Sequence, residues 1–186
     1  MKNSFVKLAS LTVILLLCSA VAGHNMSAYA VFSHPPSFGG GKINNYADGL
    51  TINGQIFDIS KFSQKFTTPQ ILPVGKSSTV TLKMFDSAGP STIKSVTLGV
   101  NVQGNSFAYG DTYVQYTMRN HYVAVVDPHK LIGSITADYS STQPYVYVTF
   151  HITPGANMEV SNLVLSVTDD HNANTNALVI NALKFS

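Results

Sequence analysis

The stretch Thr79-Val80-Thr81-Leu82-Lys83-Met84, the turn Asp86-Ser87-Ala88-Gly89-Pro90 and the return through Val96, Leu98, Val100 and Val102 decide the fold. Apolar side chains at every second position set one face of an extended chain against a core, so this segment predicts strand, turn, strand. Working outward, β-branched and aromatic runs follow at Thr112 to Met118, His121 to Val126, Leu131 to Asp138, Tyr145 to Thr153, Glu159 to Thr168 and Ala177 to Phe185, separated by Gly, Pro, Asn and Ser. Upstream, Thr51-Ile52-Asn53-Gly54-Gln55-Ile56 places Asn-Gly between apolar residues, and both residues tolerate the positive φ of a two-residue hairpin turn. No segment sustains an apolar stripe at helical spacing, and no repeat of about 20 to 50 residues signals a solenoid or propeller. The expected fold is all-β: a single antiparallel β-sandwich, immunoglobulin-like or jelly-roll-like, over residues 48–186.

The start of the chain has a different character. Lys2 and Lys7 precede a charge-free, mostly apolar run from Leu8 to Val21, followed by small-residue patterns at Ala20-Val21-Ala22 and Ala28-Tyr29-Ala30. This predicts a secretory signal peptide over residues 1–30. The run is shorter than the roughly 20 residues that a membrane-crossing helix needs, so no membrane span is expected after cleavage. Residues 31–47 contain Pro35-Pro36, Gly39-Gly40-Gly41 and Asn44-Asn45, and read as a flexible lead-in.

The single cysteine, Cys18, falls in the leader, preceded by Leu15-Leu16-Leu17 where a lipoprotein signal wants a small residue. The remainder therefore has no disulfide, thiolate nucleophile, Cys-ligated zinc or iron–sulfur cluster. Beyond residue 30 nine basic residues balance nine acidic ones, which gives no basic face for nucleic acid. At that size a domain buries enough surface to hold itself by its core.

Candidate chemistry is sparse. His34, His121, His129, His151 and His171 are organised by no motif; there is no Gly-x-Ser-x-Gly elbow, no His-Glu-x-x-His pair and no phosphate-cradling loop. No catalytic residue and no cofactor are expected. Strand parity puts His151 with Tyr145 and Tyr147 on the wetter face, opposite Val146, Val148, Phe150 and Ile152. Two metal readings compete with simple turns. Met118, His121 and His129 offer thioether and imidazole ligands for copper. Asp169, Asp170, Asn172, Asn174 and Asn176 offer oxygen ligands for calcium, although Asp and Asn also favour hairpin turns and the stretch has few anionic ligands. Tyr113, Tyr116, Tyr122, Tyr139, Tyr145 and Tyr147 crowd the middle strands, where tyrosine serves both cross-strand packing and recognition of proteins or carbohydrates.

The series Gly89-Pro90-Ser91, Ile93, Val96, Leu98, Gly110-Asp111-Thr112, Asp127-Pro128-His129, Phe150-His151-Ile152-Thr153, Met158, Ser161, Leu163 and Asp169-Asp170 resembles exported immunoglobulin-like β-sandwich surface proteins of ammonia-oxidising archaea. The resemblance covers about the last hundred residues and, less distinctly, the Leu50 to Met84 strands, and consists of turn signatures. It implies a cell-surface module without assigned catalytic residues. Two departures, the absence of a Trp near Asp111-Thr112 and of a C-terminal sorting tail, imply no anchoring by a tail. The expected function is a secreted, non-catalytic module in the extracellular or periplasm-like space, acting by contact with envelope proteins or glycans. The alternatives are a periplasm-type copper-binding protein using His and Met, and a self-associating filament subunit in which Val31 to Ser33 or Ile43 to Ala47 adds to a neighbour's sheet edge.

Overall fold

The computed structural model describes residues 34–40, 48–59 and 63–186. Its strands are β1 (Ser37–Phe38), β2 (Leu50–Ile52), β3 (Gln55–Phe57), β4 (Ser63–Lys65), β5 (Gln70–Leu72), β6 (Ser78–Phe85), β7 (Ile93–Val102), β8 (Thr112–Thr117), β9 (Tyr122–Val126), β10 (Ile132–Thr142), β11 (Tyr145–Pro154), β12 (Met158–Asp169) and β13 (Asn174–Phe185). Among the described residues the sole helical turn is Pro90–Thr92. One sheet runs β10-β11-β6-β2-β3 with β1 also on β6, and the other runs β4-β13-β12-β7-β8-β9 with β5 also on β13. The fold is an all-β sandwich.

Strand parity builds the core rung by rung. In the first sheet Val148, Leu82 and Leu50 lie side by side, as do Phe150, Val80 and Ile52, and all six are fully buried. In the second sheet Val114, Leu98, Leu165 and Ala177 form one inner rung, and Tyr116, Val96 and Val167 another. These rows share one apolar cluster with Leu163, Val179, Leu183 and Phe185. Burial is the dominant favourable term here, each large side chain contributing about 1.5–3 kcal/mol. The Asn53-Gly54 turn forms as expected, with φ of 48° and 83° between β2 and β3.

Three features depart from the expectation. β4 and β5 pair with β13 in parallel, so the second sheet is mixed rather than purely antiparallel. Within the expected flexible lead-in of 31–47, Ser37–Phe38 pairs with Met84 and Phe85 of β6, and Phe38 is buried. Its aromatic ring outweighs the flanking Pro36 and Gly39, because it completes the rung of Met84 and Val146. The expected signal peptide, and both segments expected to donate a strand to a neighbour, lie outside the described residues. Among the described residues no helix is long and apolar enough to cross a membrane.

The third departure is burial on both faces of β7 and β12, which alternation at one face does not anticipate. The β7–β8 connection folds back over the outer face of the second sheet. Val102, Val164 and Leu178 form a second small cluster there, with Tyr109 and Ile180 packed against it. Gly99 makes this approach feasible, because a Cβ at that position would stand 2.9 Å from the Cα and carbonyl oxygen of Tyr109. Those atoms are backbone and cannot rotate aside. Gly99→Ala is therefore expected to destabilise the domain by about 1–3 kcal/mol through overpacking. Urea unfolding measures the loss, and hydrogen exchange should show residues 103–110 losing protection first. Gly54→Ala, which meets no atom within 4 Å but has a φ of 83°, should leave that connection protected.

Candidate functional site: the open end of the sandwich

The two sheets part where β7 begins and β8 and β12 end, leaving a cavity of about 710 Å³. It is lined by Pro90 and Ser91, by Ile93 and Lys94 of β7, by Thr117, Met118, Arg119 and His121 around the β8–β9 turn, by Tyr139 of β10 and by Asp170. Tyr139 stands opposite buried Val148 and so points between the sheets. At that level the facing strand offers Tyr116 and His121.

A hydrogen-bonded aromatic group forms the wall. The Tyr116 hydroxyl and His121 Nδ1 are 2.7 Å apart, and the His121 ring lies 6.2 Å from that of Tyr116 and 6.0 Å from that of Tyr139. His121 has a φ of 52°, a left-handed conformation that the turn after Arg119-Asn120 imposes. Desolvation raises the Tyr116 pKa, with the nearby Asp138 and Tyr139 adding to it, so the phenol keeps its proton. With the phenol donating, a neutral imidazole carries its hydrogen on Nε2. Lys94 Nζ donates to Asn172 Oδ1 at 2.8 Å, which orients its ammonium group. Arg119 is exposed and has no ion-pair or hydrogen-bond partner among the described residues.

The residues expected to hold copper divide. Met118 and His121 line this cavity, whereas His129 Nε2 bonds Asp111 Oδ2 at 2.6 Å and is not part of the lining. That bond holds the Asp111 carboxyl below its ordinary range. The neighbouring Asp127 closes a turn, its carboxylate accepting from the backbone N–H groups of Leu131 and Ile132. His151 lies on the outer face as expected and bonds Asp138 at 2.8 Å.

The residues expected to hold calcium are also dispersed. Asp169 is fully buried, and its Oδ1 accepts from the backbone N–H groups of His171 at 2.9 Å and Ala173 at 2.7 Å. Asp170 stands exposed on the cavity rim. Asn172, with a φ of 63°, receives Lys94. The strand β13 begins at Asn174, so the Asn run is not one loop. Asn174 Nδ2 donates to Ser166 and Thr168 across the outer face of the sheet, and Asn176 lies opposite Ser166, with Oδ1 buried and without a partner. Among the described residues no three His, Cys, Asp or Glu side chains are grouped to hold a metal ion.

Sequence reasoning named Tyr139 among the clustered tyrosines suited to recognition but did not single out Ser91, Lys94 or Arg119 as site residues. One signal was present: Arg119 is the only arginine in the chain.

No protein-family model and no curated protein matches the chain. Among solved structures it is similar to a DUF4466 family protein from Parabacteroides merdae, at 12% identity and a TM-score of 0.31. The match covers 75% of this chain and 46% of that one, so this chain spans less than half the length of the protein it matches.

Two measurements follow from the Asp169 turn. Millimolar Ca²⁺ and EDTA should give superimposable thermal unfolding curves, because the five oxygen-bearing side chains do not converge. Removing the buried acceptor with Asp169→Ala should cost about 1–3 kcal/mol in either buffer, as two backbone N–H groups lose their partner.

Proposed function

We propose that the protein is a secreted, non-catalytic β-sandwich module acting by surface contact with envelope glycans or proteins, and that the open-end cavity is the contact site. The observation carrying this reading is the composition of that cavity. The lining combines the aromatic residues Tyr139 and His121 with the polar or charged residues Ser91, Lys94, Arg119 and Asp170. A sugar presents an apolar ring face and a rim of hydroxyls, which is the complement of such a lining. The leader at residues 1–30 supplies the secreted part of the reading.

His129 pairs with Asp111, His151 with Asp138, and His121 with Tyr116, at three separate places. This supports binding over turnover. A second reading, copper binding, is favoured by Met118 and His121 sharing the cavity.

Retention of the purified protein on a panel of immobilised neutral and acidic polysaccharides tests the first reading. Binding to at least one class, weakened about tenfold or more in Tyr139→Ala through loss of ring stacking, is expected. Failure to bind any polysaccharide, or equal binding by the variant, overturns the glycan reading. Titration with Cu⁺ against a competing chelator addresses the second reading, and a saturable site lost in Met118→Leu would favour it.

A further inference from the structure

We infer that the ligand of the open-end cavity is a glycan bearing uronic-acid carboxylates, gripped by Arg119 with Lys94 as the second cation. This rests on the glycan reading above and names its ligand class.

The argument begins with charge. The chain carries one arginine, and it lies on the rim of this cavity, exposed and without an ion-pair partner among the described residues. A guanidinium presents a planar fork of donors that matches a carboxylate through two parallel hydrogen bonds. Lys94 lines the same cavity with its ammonium steered by Asn172, leaving further N–H groups to donate.

The opposing charge narrows the ligand. Asp170 is the one carboxylate lining the cavity, and none of the ion pairs among the described residues joins it to Lys94 or Arg119. Two cations against one anion leave the lining with an excess positive charge, which suits a carboxylate. Asp170 can accept from sugar hydroxyls, as can Ser91, whose hydroxyl also donates.

The aromatic wall supplies the rest. Tyr139 is 37% exposed, and His121 beside it is fixed by the Tyr116 hydroxyl. Together they offer a pre-positioned surface for the C–H face of a pyranose ring, so ordering the site on binding costs little. The lining thus holds a ring platform, hydroxyl partners and a carboxylate fork in one cavity.

The test is calorimetric titration of the full chain with oligomers of galacturonate, glucuronate and mannuronate, each also supplied as its methyl ester. The ester keeps the ring and removes the charge. At least one acidic oligomer should bind, and its ester should bind about ten- to a hundredfold more weakly, the worth of a charge-assisted hydrogen bond. Arg119→Gln should weaken the acid to the level of the ester, and Arg119→Lys should restore part of the loss. Tyr139→Ala should weaken acid and ester alike. Lys76→Gln, an exposed change outside the cavity, should alter neither. Equal binding of acid and ester, or full acid binding by Arg119→Gln, overturns the uronate inference while the glycan reading survives. Tight binding of inorganic sulfate or acetate alone, lost in Arg119→Gln but untouched by Tyr139→Ala, overturns it in favour of a bare anion site. Absence of binding to every acid and ester overturns the uronate inference, and the neutral polysaccharide panel then decides the glycan reading separately.

Discussion

The structure depends on the contact between two inner rows of apolar side chains. Val80, Leu82 and Met84 with Val146, Val148, Phe150 and Ile152 face Val96, Leu98 and Val100 with Leu163, Leu165 and Val167. Both sets come from strands whose side chains alternate, so packing one face inward commits the other to the outside. A slip of one residue in either sheet would turn a whole row to water, and this fixes the register. The same contact sets the spacing of the layers, and so the gap left where strands of unequal length run out. Tyr139 points into that gap because it stands opposite Val148 at an inward position, with the His121 ring 6.0 Å away.

A second layer sits on the outside of β7 and β12. Gly99, opposite Val164 and Tyr113, lets the backbone of Tyr109 lie directly on the sheet. Further along the same face the rungs turn polar, through Gln115, Thr97, Ser166 and Asn176, then Thr117, Ser95, Thr168 and Asn174. Their side chains bond one another, Gln115 to Thr97 and Asn174 to both Ser166 and Thr168. Buried Thr97 and Ser166 are therefore satisfied within the sheet, as buried hydroxyls must be. Of the asparagines whose spacing resembles a calcium loop, Asn174 bonds within this ladder, while Asn172 holds Lys94.

Turns do similar work at both ends of the sandwich. Asp169 and Asp127 each bind two backbone N–H groups that a tight reversal leaves without partners. Such local bonds explain why Asp-containing turn signatures are frequent in a chain with few charges. Asp169 and Asp127 are thereby engaged by the backbone and Asp111 and Asp138 by histidines, whereas Asp170 stands exposed on the cavity rim. The chemistry of the open end comes from its cations and rings.

The alternation of β6, the Asn53-Gly54 hairpin, the two faces of β11 and the all-β class were legible in the sequence, because each depends on neighbours one or two residues apart. The histidine and carboxylate candidates were legible as residue types only. Whether His129 would join His121 or Asp111 depends on strands far apart in the chain, and no local period encodes that distance. The same holds for Phe38, whose place is set by Met84 and Val146, and for Gly99, whose need is set by Tyr109. The open-end site assembles Ser91, Lys94, Arg119, Tyr139 and Asp170 from four separate segments, so sequence spacing carries no trace of it. Local sterics and periodicity determined the strands; only the closing of two sheets on one core decided which strand ends would meet and what chemistry they would share.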